Sequence, residues 1–170
     1  YDRLSGTSMA CPNTAGVMIL LRQYVMDKFP DIKNDSVKVT ALVNQLLMST
    51  ADIVYNKNGL PYAVRKQGAG LANIFSATQT TALILTRDKN GEIMDKSKLE
   101  LGDDKEKTGV YELNFEIKNF GKIANSYKLS TYVLTEGVSD VKTARGETTV
   151  SEEGYLLEGA TVSFTIENGA

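Results

Sequence analysis

The 170-residue chain contains no histidine. Imidazole is the side chain whose unperturbed pKa lies near neutrality, which makes it the usual acceptor of a serine nucleophile's proton. A Ser-His-Asp triad therefore cannot be built from these residues alone. Cysteine is nearly absent too: Cys11 stands by itself, which excludes an internal disulfide and any site made of several thiolates. Neither sign of charge is in excess, with 19 Lys and Arg against 21 Asp and Glu. The basic surplus that draws proteins to phosphate backbones or anionic lipid is missing, so nucleic acid is not an expected partner. Long hydrophobic runs are missing as well. The longest extends from Ala15 to Leu21 and is broken by Gly16, far short of the ~20 residues that cross a bilayer. No membrane span is expected.

What is present suits a globular protein: hydrophobic residues make up 42% of the chain, enough to bury a core. The sequence starts at Tyr1 rather than Met and carries no targeting stretch, and on that ground it is read as a fragment of something longer. Its character changes in mid-chain. From Met9 to about Phe29 apolar residues occupy most of the helical circumference, a pattern that predicts a helix buried on many sides, with Pro30 stopping it. A second helix is predicted from an Asp35 cap to about Thr50. Val39, Leu42, Val43, Leu46 and Leu47 recur on it at i, i+3, i+4, i+7 and i+8, which makes a single apolar stripe. Asn58-Gly59 predicts a tight turn between Ile53-Val54-Tyr55 and Leu60-Pro61-Tyr62, and Gly68-Ala69-Gly70 leads into a short helix through Ala77.

After Ala82 the period becomes two. Tyr111, Leu113, Phe115 and Ile117 alternate with polar residues, Leu129, Thr131 and Val133 do so less cleanly, and Val162, Phe164 and Ile166 repeat the pattern near the end. With turn segments such as Lys89-Asn90-Gly91 and Asn119-Phe120-Gly121-Lys122 between them, these strands predict a β-sandwich.

One segment carries chemistry: Gly6-Thr7-Ser8-Met9-Ala10-Cys11-Pro12. Glycine lets a substrate backbone come close, and Ser8 lies where loop becomes helix, so free amides and the positive helix end would favour a developing negative charge. Pro12 has no amide to bond the Ser8 carbonyl four residues earlier. For a lone Ser at a helix start, simple capping by Thr7 or Ser8 would be the better explanation. The match is longer than a cap. Gly-Thr-Ser-Met-Ala-x-Pro followed by Ala15-Gly16 and a long apolar helix resembles the serine box of the subtilase family.

That resemblance implies that Ser8 is the nucleophile and its amide one oxyanion donor, with Gly6 and Thr7 flanking the site. It implies further that the Asp, the His and an Asn oxyanion donor come from an upstream catalytic-domain segment. Many relatives carry His where Asn13 stands, but that His is not the base. Leu46-Leu47-Met48-Ser49-Thr50-Ala51 and Arg65-Lys66-Gln67-Gly68-Ala69-Gly70-Leu71 look like the closing part of the catalytic domain in large cell-envelope subtilases of the lactocepin type. Tyr111 to Leu134 is similar to the fibronectin type III-like domain that follows it there. The implied fold is an α+β fragment, with residues 1–80 ending an α/β catalytic domain and residues 81–170 forming a partial antiparallel β-sandwich. The implied activity is serine endopeptidase in a full-length parent that is secreted or held at the cell surface, acting on peptide or protein substrates without a cofactor or metal. The isolated chain would be catalytically incomplete. The alternative is a pseudoenzyme-derived binding or scaffolding module.

Other candidates read as structural. Cys11 beside an apolar helix is expected to act as a small hydrophobe rather than a reactive thiol. Asp88, Asn90 and Glu92 lack the spacing of a calcium loop and suit a solvated turn. Asp103-Asp104-Lys105-Glu106-Lys107 mixes both signs as exposed loops do, and Arg65 and Lys66 suit a structural role beside the Gly68 and Gly70 turns.

Overall fold

The Asp35 carboxylate accepts hydrogen bonds from the amides of Val37 (3.2 Å) and Lys38 (3.0 Å). That cap satisfies two of the donors every helix start leaves open, and the second helix begins there as the sequence predicts. The computed structural model describes residues 6–88, 90–99, 101–142, 146 and 148–166. Its elements in chain order are α1 (Thr7–Lys28), α2 (Ser36–Ser49), α3 (Val64–Gln67), α4 (Ile74–Gln79), β1 (Ala82–Thr86), β2 (Phe115–Asn119), β3 (Leu134–Lys142) and β4 (Thr148–Leu156). The composition is α+β, as expected. The chain divides into two compact units, one of residues 1–53 and 69–125, the other of residues 54–68 and 126–170.

The first unit holds the core. Leu21 and Val25 of α1, Val39, Val43 and Leu46 of α2, Ala77 of α4, and Leu83 and Leu85 of β1 are buried together. Leu42 and Leu47 pack against this cluster, so the predicted α2 stripe is its centre. Full burial of each Leu or Val contributes about 1.5–3 kcal/mol, which makes the α1–α2–α4–β1 contact the main source of the unit's stability. α1 differs from its expected burial. Its C-terminal half meets α2 and α4, whereas Ile19 and Leu20 are 68% and 57% exposed. A helix that is apolar all round buries only the faces that have a partner, and among the described residues α1 has partners on one side.

β1 pairs antiparallel with β2, Ile84 opposite Ile117. Side chains occupy the backbone of Ile84: its amide donates to Ser49 Oγ (2.9 Å), and Ser97 Oγ donates to its carbonyl (2.6 Å). Gln45, buried in α2, is satisfied by donating to the Met94 carbonyl at 2.8 Å. The predicted strand from Tyr111 starts only at Phe115. β1 ends at Thr86, where the chain turns back with the Asp88 amide bonded to the Glu92 carbonyl (2.9 Å), so residues 111–114 have no strand opposite. Lys89, part of that predicted turn, lies outside the described residues.

The second unit contains the β3–β4 hairpin, with Leu134 opposite Leu156 and Lys142 opposite Thr148. The periodicity at Leu129–Val133 predicts a strand, but the ladder begins at Leu134. One further bond joins the Leu157 amide to the Val133 carbonyl (2.9 Å). Then the Ala160 amide closes onto the Leu157 carbonyl and the opposite chain turns away. Val162, Phe164 and Ile166 form no ladder either, and Asn168, Gly169 and Ala170 lie outside the described residues. Strands among the described residues pair only as β1–β2 and β3–β4. In residues 54–68 the predicted turn is present: Tyr55 bridges Pro61, and the Asn56 side chain accepts from the amides of Asn58 (2.8 Å) and Leu60 (3.1 Å).

Candidate active site

The site is the free end of α1. Gly6 caps the helix with φ +147° and ψ 176°, and it supplies no side-chain acceptor. That φ lies where residues with a Cβ are strained, and a Cβ built on Gly6 would meet nothing within 4 Å. The position is selected by backbone shape and open approach, not by packing. The Gly6 carbonyl accepts from both Met9 and Ala10 at 3.1 Å, so the helix closes below the first two residues. The amides of Thr7 and Ser8 are left over as the donors that every helix start leaves unfilled.

Ser8 is exposed, and among the described residues its hydroxyl has no hydrogen-bond partner. α1 has no acidic residue in its first turn and has Lys28 in its last. Among the described residues the positive end of the helix has no acidic neighbour in its first turn, while the negative end is matched by Lys28. A group that gains negative charge at this point is stabilised by the free amides and by the helix field. Pro12 lies inside α1 and gives the Ser8 carbonyl no amide, as the sequence predicts. One turn on, Asn13 Nδ2 donates to the Met9 carbonyl at 3.2 Å.

The far half of α1 fixes the direction of the helix. Leu21 and Val25 are fully buried, the Tyr24 hydroxyl donates to the Thr78 carbonyl (2.8 Å), and Arg22 Nη1 donates to Thr40 Oγ1 (3.2 Å). The serine end, residues 7–16, is exposed throughout. α1 therefore holds Ser8, Thr7 and Gly6 together at the tip of an anchored rod.

The chain has no histidine, so no imidazole of its own stands beside Ser8. Cys11, expected to be a packed hydrophobe, is exposed instead, because it lies on the uncovered part of α1. The Asp88 carboxylate is occupied by its own turn, accepting from the amides of Asn90 (2.8 Å) and Glu92 (2.9 Å). Among the described residues no three His, Cys, Asp or Glu side chains are grouped as metal ligands.

Two carboxyls titrate below their ordinary range. The backbone amide of Lys38, then its side chain, lowers Asp35, and the amides of Gly109 and Thr108 lower Asp104. Both are turn or cap devices away from Ser8. The contact that sequence reasoning missed is Glu136, which pairs with Arg65 Nε and lies 3.8 Å from Lys66 Nζ. Its only signal is a lone acid in an otherwise uncharged stretch from Leu129 to Ser139.

Residues 1–70 match the family model described as "Subtilase family". Among curated proteins, the C5a peptidase of Streptococcus pyogenes is 34% identical over 89 residues, covering 52% of this chain and 8% of the relative. The C5a peptidase of the serotype M6 strain is 35% identical over 89 residues, again 52% of this chain and 7% of the relative. The aligned segment thus spans less than a tenth of the relatives' length. The resemblance read from the serine segment is borne out over residues 1–70, and the fibronectin type III-like resemblance lies beyond that match.

Proposed function

We propose that this chain is the serine-bearing end of a subtilisin-like serine endopeptidase, the family that its first 70 residues match. Ser8 is the nucleophile. Its Oγ bonds to the scissile carbonyl carbon as a histidine from an upstream segment takes the hydroxyl proton and passes it to the leaving amine. The acyl-enzyme on Ser8 is then hydrolysed by water. The Ser8 amide is one oxyanion donor, with Gly6 and Thr7 bordering the substrate, and no cofactor is needed.

The observation that carries this reading is the location of Ser8: the family match includes an exposed serine on the unfilled, positively polarised end of a helix whose other end is anchored. The partner is the upstream catalytic-domain segment that supplies Asp and His. Exposed Ile19 and Leu20 are apolar surface for it to cover. Residues 1–80 then close the catalytic domain, and residues 81–170 begin a fibronectin type III-like sandwich. The substrates are peptides or proteins, in keeping with the peptidase name of the relatives, and the enzyme works outside the cell or at its surface, a reading that the family resemblance supports.

Without the upstream segment the chain is inactive. A fluorophosphonate probe tests this: it should label Ser8 in the parent that includes the upstream residues, and it should not label the 170-residue chain at the parent's rate. Equal labelling of both would refute the dependence on an external base. A parent without the Asp and His would instead make this a scaffolding module.

A further inference from the structure

Arg65 and Lys66 take no part in the chemistry proposed for Ser8, yet they converge on one carboxylate. Glu136 Oε2 pairs with Arg65 Nε, and Glu136 Oε1 lies 3.8 Å from Lys66 Nζ. The Glu136 side chain is 20% exposed, and its Oε1 is buried without a hydrogen bond. The two nearby cations offset the cost of withdrawing that oxygen from water without a hydrogen bond. Conversely, Arg65 and Lys66 are neighbours on the four-residue α3, and Glu136 is a negative charge that both reach.

Little else of an apolar kind closes this unit. The eight residues of the buried core cluster all belong to residues 21–46 and 77–85, and in residues 54–68 only Pro61 is buried. Val54, Tyr55, Tyr62 and Val64 are exposed, as are Tyr155 and Leu156 on β4. The arm of residues 54–68 is instead held internally by polar bonds, among them the Val54 amide on Gln67 Oε1 (2.8 Å) and the Tyr62 amide on the Val54 carbonyl (3.0 Å).

The arm also has a closed root. Asp52 and Leu71 exchange both backbone bonds, at 2.9 and 2.8 Å. A Cβ on Gly70, at φ +129°, would collide with the Asp52 carbonyl, so this close approach requires glycine. Opening of the arm therefore stops at the Asp52–Leu71 bridge and leaves the helical core intact. Regions with few buried apolar contacts open locally at free energies below that of global unfolding.

We propose that Glu136 is an electrostatic latch, closing the 54–68 arm and the β3–β4 hairpin into one unit that opens and recloses while α1, α2 and β1 stay folded. Hydrogen exchange read by mass spectrometry on the whole chain tests it, with Glu136→Gln as a variant of unchanged shape. At low salt this substitution should speed exchange at the Asn56 and Tyr62 amides of the arm and at the β3–β4 ladder by a common factor of about fivefold or more. The α2 amides should be unaffected. Raising salt to ~1 M, which shortens the Debye length to ~3 Å, should speed the same amides in the native sequence and have little effect on the variant. Arg65→Gln with Lys66→Gln should speed the same amides by at least as much and again leave α2 unaffected. Faster exchange in the hairpin alone, with the arm unchanged, would overturn the latch. So would no change anywhere, or an equal acceleration in α2.

Discussion

The Tyr24 hydroxyl on α1 donates to the Thr78 carbonyl on α4 at 2.8 Å, fifty-four residues away in sequence. The bond lies beside Leu21 and Val25, so hydrogen bonding and burial anchor the same half of α1, leaving its serine end free. Tyr24→Phe keeps the ring and removes the donor. Such a bond is worth about 1 kcal/mol net, and urea unfolding should show a loss of that size with little change in the slope.

Burial along α1 is uneven, and substitutions should reveal it. Leu21 is fully buried in the cluster with Val39, Val43 and Leu46, whereas Ile19 two residues earlier is largely exposed. Leu21→Ala should destabilise the chain by about 2–5 kcal/mol, and Ile19→Ala by no more than about 0.5 kcal/mol. Comparable losses in this chain would mean that α1 is packed the other way round.

Asp35 gives a pH prediction. Its folded-state pKa lies below the ordinary carboxyl value of 3.8, chiefly through the Lys38 amide. A depressed pKa means that the unfolded chain binds the proton more readily. The stabilisation is therefore complete above about pH 4 and is lost as the pH falls through the folded-state value. Asn is an equally good cap without a titrating group. Asp35→Asn should leave the urea midpoint at pH 7 nearly unchanged and flatten its fall on the acid side. Part of the slope remains, because Asp104 is lowered in the same direction. An acid limb identical in the two proteins would contradict the cap's role.

The Asp52–Leu71 bridge depends on Gly70. Gly70→Ala brings a Cβ against the Asp52 carbonyl at a backbone conformation that suits only glycine. Where a compatible glycine replacement stabilises by about 0.4–1 kcal/mol, this one should destabilise by more than that in urea unfolding, and an unchanged midpoint would contradict the close approach.

The helices were legible because their signals are local. Asp35 names its own cap, the α2 stripe repeats at helical spacing, and Pro30 stops α1 at Lys28. The serine segment was legible for the same reason, since seven consecutive residues carry it. The strands were not. Alternation at Tyr111 and Leu129 marks chain that could pair, but pairing needs an opposite edge, and the turns after Thr86 and Leu157 remove it. β3 and β4 read as weakly patterned sequence, with Glu136, Gly137 and Gly154 breaking the alternation, yet they form the longest ladder. The pairing of Glu136 with Arg65 and Lys66 spans about 70 positions, and a lone acid is its only local trace.

Ser8→Ala in the parent enzyme is the most direct test of the Ser8 hydroxyl as nucleophile. Cleavage of a denatured protein substrate should fall to the background rate, while the thermal unfolding transition of the variant stays nearly where it was, because among the described residues the exposed hydroxyl makes no hydrogen bond. Retained cleavage with an unaltered transition would show that another residue is the nucleophile.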